Sequence, residues 1–444
     1  MNAESTVEPA LSLEAREYYA DKRLLWLNSF WLLFGTFGMG MGLGVSANLV
    51  PLHMSKVGMN ATQIALGFSI NGWLIAFLMI YLAYRSDNCQ IRWGRRLPFL
   101  LLAIPPVCLA LIIFPHAHTI FACVVVFAVY RFFLNFKEQT YPFLSYDIAP
   151  RECWGRIWAL QMAGGALGGW AANVGLMRLV KPWGEAPVFY LASGMLGGLT
   201  LVTILFLKEP PIRVKNPAPF QIGKQLLIGF GDRRNWLLFL GFGLGIMTAL
   251  PAPIFIVLQA KNNVLLDEGQ IGWVMSWFTL ASLVIAFPAG WLTDRLGAIQ
   301  AMGISYVLAL VAAFLGFAAD GATRLSFSVV FLALSGTISY NAMLVFLVRG
   351  VPREIIASFS ACNGMFSAFF AATVQVACGS LIDLFGGNYG IAFPLGVLLG
   401  GVGLAMLIVV DQWRKKELKS NQAASFRESS SASLKKLAKM DAGS

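Results

Sequence analysis

Residues 85–98 read RSDNCQIRWGRRLP, a polar turn set between two long apolar runs, 63–84 and 97–115. Each run is long enough to cross a bilayer as a helix, which takes roughly 20 residues. The turn holds Asp87, Gly94, Arg95 and Arg96, and a shorter copy, GWLTDRLG, carries Gly290, Asp294, Arg295 and Gly297. Asp294 follows Asp87 by 207 residues, and Pro352-Arg353-Glu354 follows Pro150-Arg151-Glu152 by 202. Two landmarks repeating at nearly one spacing argue for a duplicated unit.

Working outward, twelve apolar spans are expected: 25–50, 63–84, 97–115, 119–146, 157–179, 187–207, 236–259, 270–292, 298–318, 325–347, 357–380 and 389–410. The chain is 57% hydrophobic and 12% charged, with a mean hydropathy of +0.69, far from an ordinary soluble domain. The expected architecture is an all-α membrane protein of two six-helix bundles related by a pseudo-twofold, 25–207 and 236–410. A tail (1–24), a central loop (208–235) whose middle reads as a surface helix, and a basic tail (411–444) complete it. The first span is too long, and too acidic upstream, for a cleaved leader. Of 33 Lys and Arg, 26 fall in segments on the side of the termini and five on the other. That bias sets both termini in the cytoplasm. The net charge of +11 then reads as topology and contact with anionic lipid, not as a nucleic-acid surface.

The turn at 85–98 has a known counterpart. An acidic residue, a glycine and a run of arginines between the second and third spans, echoed in the second half, resembles the major facilitator superfamily. Within it, SDNCQIRWGRRLPF is similar to the S-D-R-x-x-x-R-[FW]-G-R-R-R-P-F loop of sucrose and other glycoside symporters, with Asn88 and Leu97 where that pattern has arginines. The resemblance implies secondary transport by alternating access. Asp87, Gly94, Arg95, Arg96, Asp147, Asp294, Arg295 and Gly297 would act as gates at the inner face, closing through hydrogen bonds to arginines and helix N-termini. Positive-inside anchoring explains the arginines alone, not the embedded Asp and Gly.

The fourth span contains Arg131, Asn135, Lys137 and Glu138. At 100° per residue Arg131, Asn135 and Glu138 lie within about 60° of one another; Lys137 points elsewhere. A charge at mid-membrane costs at least ~2.5 kcal/mol and belongs in the bundle interior. A structural Arg–Glu network would satisfy that. The functional reading is that Glu138 takes and releases a proton while Arg131 tunes it. Sodium-coupled members of the glycoside family place paired carboxylates on the second and fourth helices. The second span here has Asn71 and Trp73 instead, so the coupling ion is expected to be a proton.

Aromatic and amide side chains suit a sugar, with its apolar C–H face and hydroxyl rim. Asn71, Trp73, Trp277, Tyr340, Asn341, Asn363 and Gln375 are the substrate candidates, though each taken alone reads as packing or interfacial belt. Glycines 38, 40, 42 and 44 of the first span, and 164, 165, 168 and 169 of the fifth with Asn173 beyond them, read as close helix packing, with a flexible point beside the transport path as the functional alternative for the first run. Pro105-Pro106 predicts a kink and Pro251-Ala252-Pro253 a broken seventh span. The six cysteines and three histidines have no metal or redox spacing, and no phosphate loop or Ser–His–Asp set occurs. The sequence therefore predicts no enzyme and no cofactor beyond the proton. The reading is a monomeric, proton-coupled importer of a sugar or glycoside in the cytoplasmic membrane. An exporter of drugs or metabolites, and a non-transporting assembly or pigment-delivery protein on the same scaffold, are the alternatives.

Overall fold

The computed structural model describes residues 21–87, 96–148, 153–209, 222–251, 254–349 and 356–441. Gly94, Arg95 and both Pro-Arg-Glu echoes lie outside these residues, as do the side chains of Asp87 and Glu138. The first bundle comprises α1 (Lys22–Lys56), α2 (Ala61–Asp87), α3 (Leu97–Ile113), α4 (Ile120–Ile148), α5 (Trp154–Ala171), α6 (Met177–Trp183) and α7 (Glu185–Phe206). A short α8 (Ile222–Phe230) follows in the central loop, in the stretch whose pattern predicts a surface helix. The second bundle holds α9 (Arg233–Gly245), α10 (Ile254–Asn262), α11 (Glu268–Leu296), α12 (Ala298–Phe317), α13 (Ala322–Arg349), α14 (Ile356–Leu384) and α15 (Ala392–Asp441). These make twelve crossings, because two are interrupted. A π turn at Ala172–Leu176 joins α5 to α6, and a 3-10 turn at Ile246–Ala249 precedes the Pro251 break between α9 and α10. In lipid every backbone group must be satisfied within the protein, so helices are the natural way across.

One sequence expectation, where the basic tail begins, is adjusted by this geometry. Helix α3 runs unbroken through Pro105 and Pro106. Helix α15 continues past residue 410 to Asp441, so the basic tail begins as an extension of the last crossing.

The glycine run of α1 explains how the first bundle packs. Gly38 and Gly42 face α7: a Cβ on Gly38 would sit 2.7 Å from the Met195 carbonyl, and one on Gly42 would collide with the Leu196 side chain. Gly40 and Gly44 face α5, where a Cβ on Gly40 would overlap the Gly165 carbonyl. Conversely, a Cβ on Gly168 would overlap the Phe37 carbonyl. Helix α1 is thus held backbone to backbone on two sides, the arrangement small residues permit when lipid offers no hydrophobic drive.

Among the described residues, contacts between the two halves concentrate on the face away from the chain termini, here the distal face. Helix α2 packs along α14, and α11 packs against α5, the π turn and α6. The first turn of α2 is capped from the opposite half: the Asp383 carboxylate of α14 accepts from Ala61 N (3.0 Å), Thr62 N (2.9 Å) and Thr62 Oγ1 (2.5 Å). Asn60 and Gln63 bond each other's backbone N–H to finish that cap. Further toward mid-membrane, Ser69 donates to the Ala372 carbonyl (2.8 Å) and Trp73 Nε1 to Thr373 Oγ1 (3.2 Å).

Substitution tests this packing directly. Gly168→Val must push α1 and α5 apart, and overpacking of this kind costs about 1–3 kcal/mol. Thermal unfolding in detergent is expected to show a clearly lowered Tm. Gly198→Ala, where a Cβ meets nothing within 4 Å, is expected to leave Tm unchanged or raise it.

Candidate functional site

Two parallel stripes, each with a four-residue step, define the site. On α1 the stripe is Thr36, Gly40, Gly44 and Asn48; on α5 and its π turn it is Gln161, Gly165, Gly169 and Asn173. Residues four apart lie on one helix face. The stripes run in register at an offset of 125 residues, and the Asn48 Nδ2 to Asn173 Oδ1 bond of 2.7 Å marks it. All eight residues line one cavity of about 650 Å³ between the two halves. Its far wall comes from the second half: Ala249 beside the break in the seventh crossing, with Met275, Phe278 and Thr279 of α11. Among the described residues, none that lines it carries a charge.

At the distal end of the cavity the halves are stitched together. Asn48 Nδ2 donates to the Gly44 carbonyl (2.9 Å) as well as to Asn173. Asn173 Nδ2 reaches Thr279 Oγ1 of α11 at 3.4 Å. The π turn is what lets Asn173 face both partners, since one extra residue in the turn rotates the helix face locally. Two buried polar atoms on the lining have no partner among the described residues: Asn48 Oδ1 and Gln161 Nε2. A buried polar atom left unpaired costs about 1–3 kcal/mol.

None of the sequence-derived candidates that the structure describes lines this cavity. Asn135 and Asn71, assigned separately to coupling and substrate, meet each other: Asn135 Nδ2 donates to Asn71 Oδ1 at 3.0 Å and to the Arg131 carbonyl at 2.5 Å. Arg131 is half-buried. Trp73 and Gln375 belong to the α2–α14 seam, Gln375 facing Ser69 at 3.5 Å. Trp277 packs edge-on against Trp273, and Tyr340 is exposed. Asn341 bonds its own helix at Thr337 (3.0 Å). Asn363 is buried with Oδ1 unpaired among the described residues. Lys137 is fully buried between α4 and α7, with Nζ 2.8 Å from Thr200 Oγ1.

Among the gate candidates, Arg96 Nε pairs with Asp147 at 2.5 Å. Both belong to the first half, so this pair staples α3 to α4 within one bundle. Glu209, which sequence reasoning passed over, caps α3 through Arg96 N (3.0 Å) and Leu97 N (2.8 Å). Asp294 and Arg295 are exposed, and the Arg295 guanidinium stacks on Trp291 of its own helix. Gly297 ends α11 at φ +88°, a conformation that favours glycine.

Among the described residues, the cavity lies between two six-helix bundles and carries no charge on its lining. The chain belongs to the Major Facilitator Superfamily, whose sequence profile matches residues 32–259 and again 237–441. It is thus a multi-pass membrane transporter and not an enzyme. Its fold is similar to that of the nucleoside transporter NupG in a mutant form, with TM-score 0.69 and 15% identity over 87% of this chain and 99% of that one. It is also similar to a bacterial homolog of the human lysosomal transporter Spinster in an inward-facing, occupied conformation, with TM-score 0.65 and 12% identity over 90% and 98% of the two chains. A third is a bacterial homologue of the iron transporter ferroportin in an outward-facing state, with TM-score 0.59 and 14% identity over 87% and 99%. No curated protein sequence matches the chain.

The cross-half cap gives a prediction for gating. Loss of a cap costs about 1–2 kcal/mol, so Asp383→Ala is expected to raise the population open at the distal face roughly tenfold. Cys378, buried on α14 beside the seam, reports it: with the other five cysteines replaced by serine, its alkylation by a membrane-impermeant maleimide should accelerate by that factor.

Proposed function

We propose that the protein is a proton-coupled importer of an uncharged, hydroxylated solute of the sugar or glycoside class, working by alternating access. The observation that carries this is the cavity itself: amides and hydroxyls at its ends, glycine, methionine and phenylalanine between, and no charged group among its described lining residues. Such a lining suits a molecule with an apolar face and a hydroxyl rim, and it disfavours an ion or a charged metabolite, which would lose hydration without a counter-charge. The likeness to NupG, a nucleoside transporter, is compatible, since a nucleoside is itself a glycosylamine.

Alternating access is supported by where the halves touch. The described seals, from the Asp383 of α14 that caps α2 to Asn173–Thr279, lie between the distal face and mid-membrane. Among the described residues, this is the arrangement of a state closed distally. The positive-inside bias favours the face that bears both termini in the cytoplasm. The localisation proposed is the cytoplasmic membrane, with the chain acting as a monomer.

Proton coupling is assigned to Glu138 of α4, the helix that also carries Arg131 and the Asn135 bonded to Asn71. A carboxylate whose two protonation states favour different conformations links proton entry to solute entry. The test is uptake into proteoliposomes. With an inward proton gradient, wild-type protein is expected to accumulate labelled solute above equilibrium. Glu138→Gln should hold it at the equilibrium level while counterflow exchange persists; uphill uptake by Glu138→Gln would remove the assignment.

A further inference from the structure

At the distal rim, five side chains form a line of alternating charge that crosses from one half to the other. His53 and Lys56 lie in the last turn of α1, Glu185 opens α7, Glu268 opens α11 and Lys261 lies in the last turn of α10. His53 Nδ1 meets Glu185 Oε2 at 3.0 Å, and Lys56 Nζ pairs with the other oxygen of the same carboxylate. Lys56 Nζ also stands 4.0 Å from Glu268 Oε1, which accepts from Lys261 Nζ at 2.8 Å. Among the described residues, the Lys56–Glu268 contact is the ion pair that joins the first half to the second.

The surroundings of His53 select its charged form. Its other ring nitrogen, Nε2, faces the Ala117 carbonyl at 3.1 Å. A carbonyl can only accept, and the Glu185 carboxylate, paired to Lys56, accepts as well. A neutral imidazole has one N–H and would leave one of these bonds unmade, whereas the doubly protonated ring makes both. The residue is 6% exposed and its ring packs on Phe114, with centroids 5.2 Å apart, so a charge on it relies on Glu185 for compensation. The other ionisable groups nearby are engaged elsewhere. His116 bonds Tyr190 at 2.5 Å, Asp267 caps α11 through Gln270 N, and the Arg178 guanidinium of α6 lies over the Trp273 ring.

We propose that His53 is a proton-binding site of the distal seal, separate from Glu138, and that a proton held there favours the distally closed conformer. The link runs through Glu185 and Lys56. With the halves together, Lys56 divides its charge between Glu185 and Glu268, which leaves Glu185 more charge to offer the imidazolium. When α11 moves away, Lys56 serves Glu185 alone and the proton on His53 is held less tightly. The effect is reciprocal: closure tightens proton binding, and proton binding stabilises closure. The seal therefore has this contribution in full at low pH and loses it as pH rises through the titration range of the histidine, near pH ~6.5 for an ordinary imidazole. This goes beyond the coupling role of Glu138 and rests only on alternating access.

The test is the distance between the halves at the distal face, read by double electron–electron resonance on the full-length protein in lipid nanodiscs. Spin labels at His118→Cys, between α3 and α4, and at Thr323→Cys, in the first turn of α13, occupy exposed positions on opposite halves; the six native cysteines are replaced by serine. From about pH 5.5 to about pH 8 the ratio of open to closed molecules is expected to rise about tenfold, equivalent to roughly one pH unit of difference in proton affinity between the two conformers. His53→Gln should make the ratio independent of pH over that interval. Lys56→Gln, at a position whose side chain is 49% exposed, should do the same with ring and carboxylate left in place. His116→Gln and Glu138→Gln should each keep the response. A ratio that does not move with pH in the labelled parent, a response that survives His53→Gln or Lys56→Gln, or one that is lost in His116→Gln or Glu138→Gln, overturns the proposal. Each of these results leaves the uptake test of Glu138 standing on its own.

Discussion

Everything in the first bundle follows from how closely α1 can approach its neighbours. Inside a bilayer the helices gain nothing by hiding leucine from lipid, so cohesion must come from van der Waals contact and from polar bonds between helices. The glycines of α1 supply the first on two sides, toward α7 through Gly38 and Gly42 and toward α5 through Gly40 and Gly44. Bringing α1 and α5 into backbone contact also aligns their stripes, which sets Asn48 against Asn173 and shapes the cavity floor. Helix packing and the cavity wall are therefore one feature here. A side chain added at Gly40 or Gly168 would disturb both.

The second constraint is the shortage of water. Polar side chains inside the bundles are mostly paired: Lys137 with Thr200, Tyr130 with Ser46, Asn135 with Asn71. Against that background the unpaired atoms of Asn48 and Gln161 stand out. They share one cavity, and the cavity meets the interface between the halves at Thr279. The bond that helps seal the distal end thus touches the wall of that cavity. Occupancy and closure can then influence each other without any long-range device, since differential contact in the two states is all that is needed.

The architecture was legible from residues because apolar length is a strong signal: the twelve crossings and the surface helix at Ile222–Phe230 lie where hydropathy puts them. The break after Ala249 was announced by Pro251-Ala252-Pro253. The lining was harder to read. Trp277 and Tyr340 have the chemistry of sugar-facing aromatics, yet neither faces the cavity, because a helix period alone does not say which face a neighbour covers. The readable signal was the step of four that joins Thr36 to Asn48 and Gln161 to Asn173 through paired glycines. It registers as packing when each helix is considered singly, and its meaning appears only when the two are laid side by side. The π turn that aims Asn173 has no local sequence mark at all. Asp383 was equally silent, since its partners Ala61 and Thr62 stand 322 and 321 residues away.

That remote carboxylate has a kinetic corollary. Because α2 borrows the cap for its first turn from α14, separating the halves at that face exposes two backbone amides and a carboxylate that must be rehydrated. The conformer with the opposite opening then starts as a minority species. A molecule approaching from that side meets a conformational levy, its apparent affinity reduced by the fraction of chains ready to receive it. Entry and exit would accordingly differ in half-saturation even with one identical pocket, an intrinsic rectification written into a helix terminus.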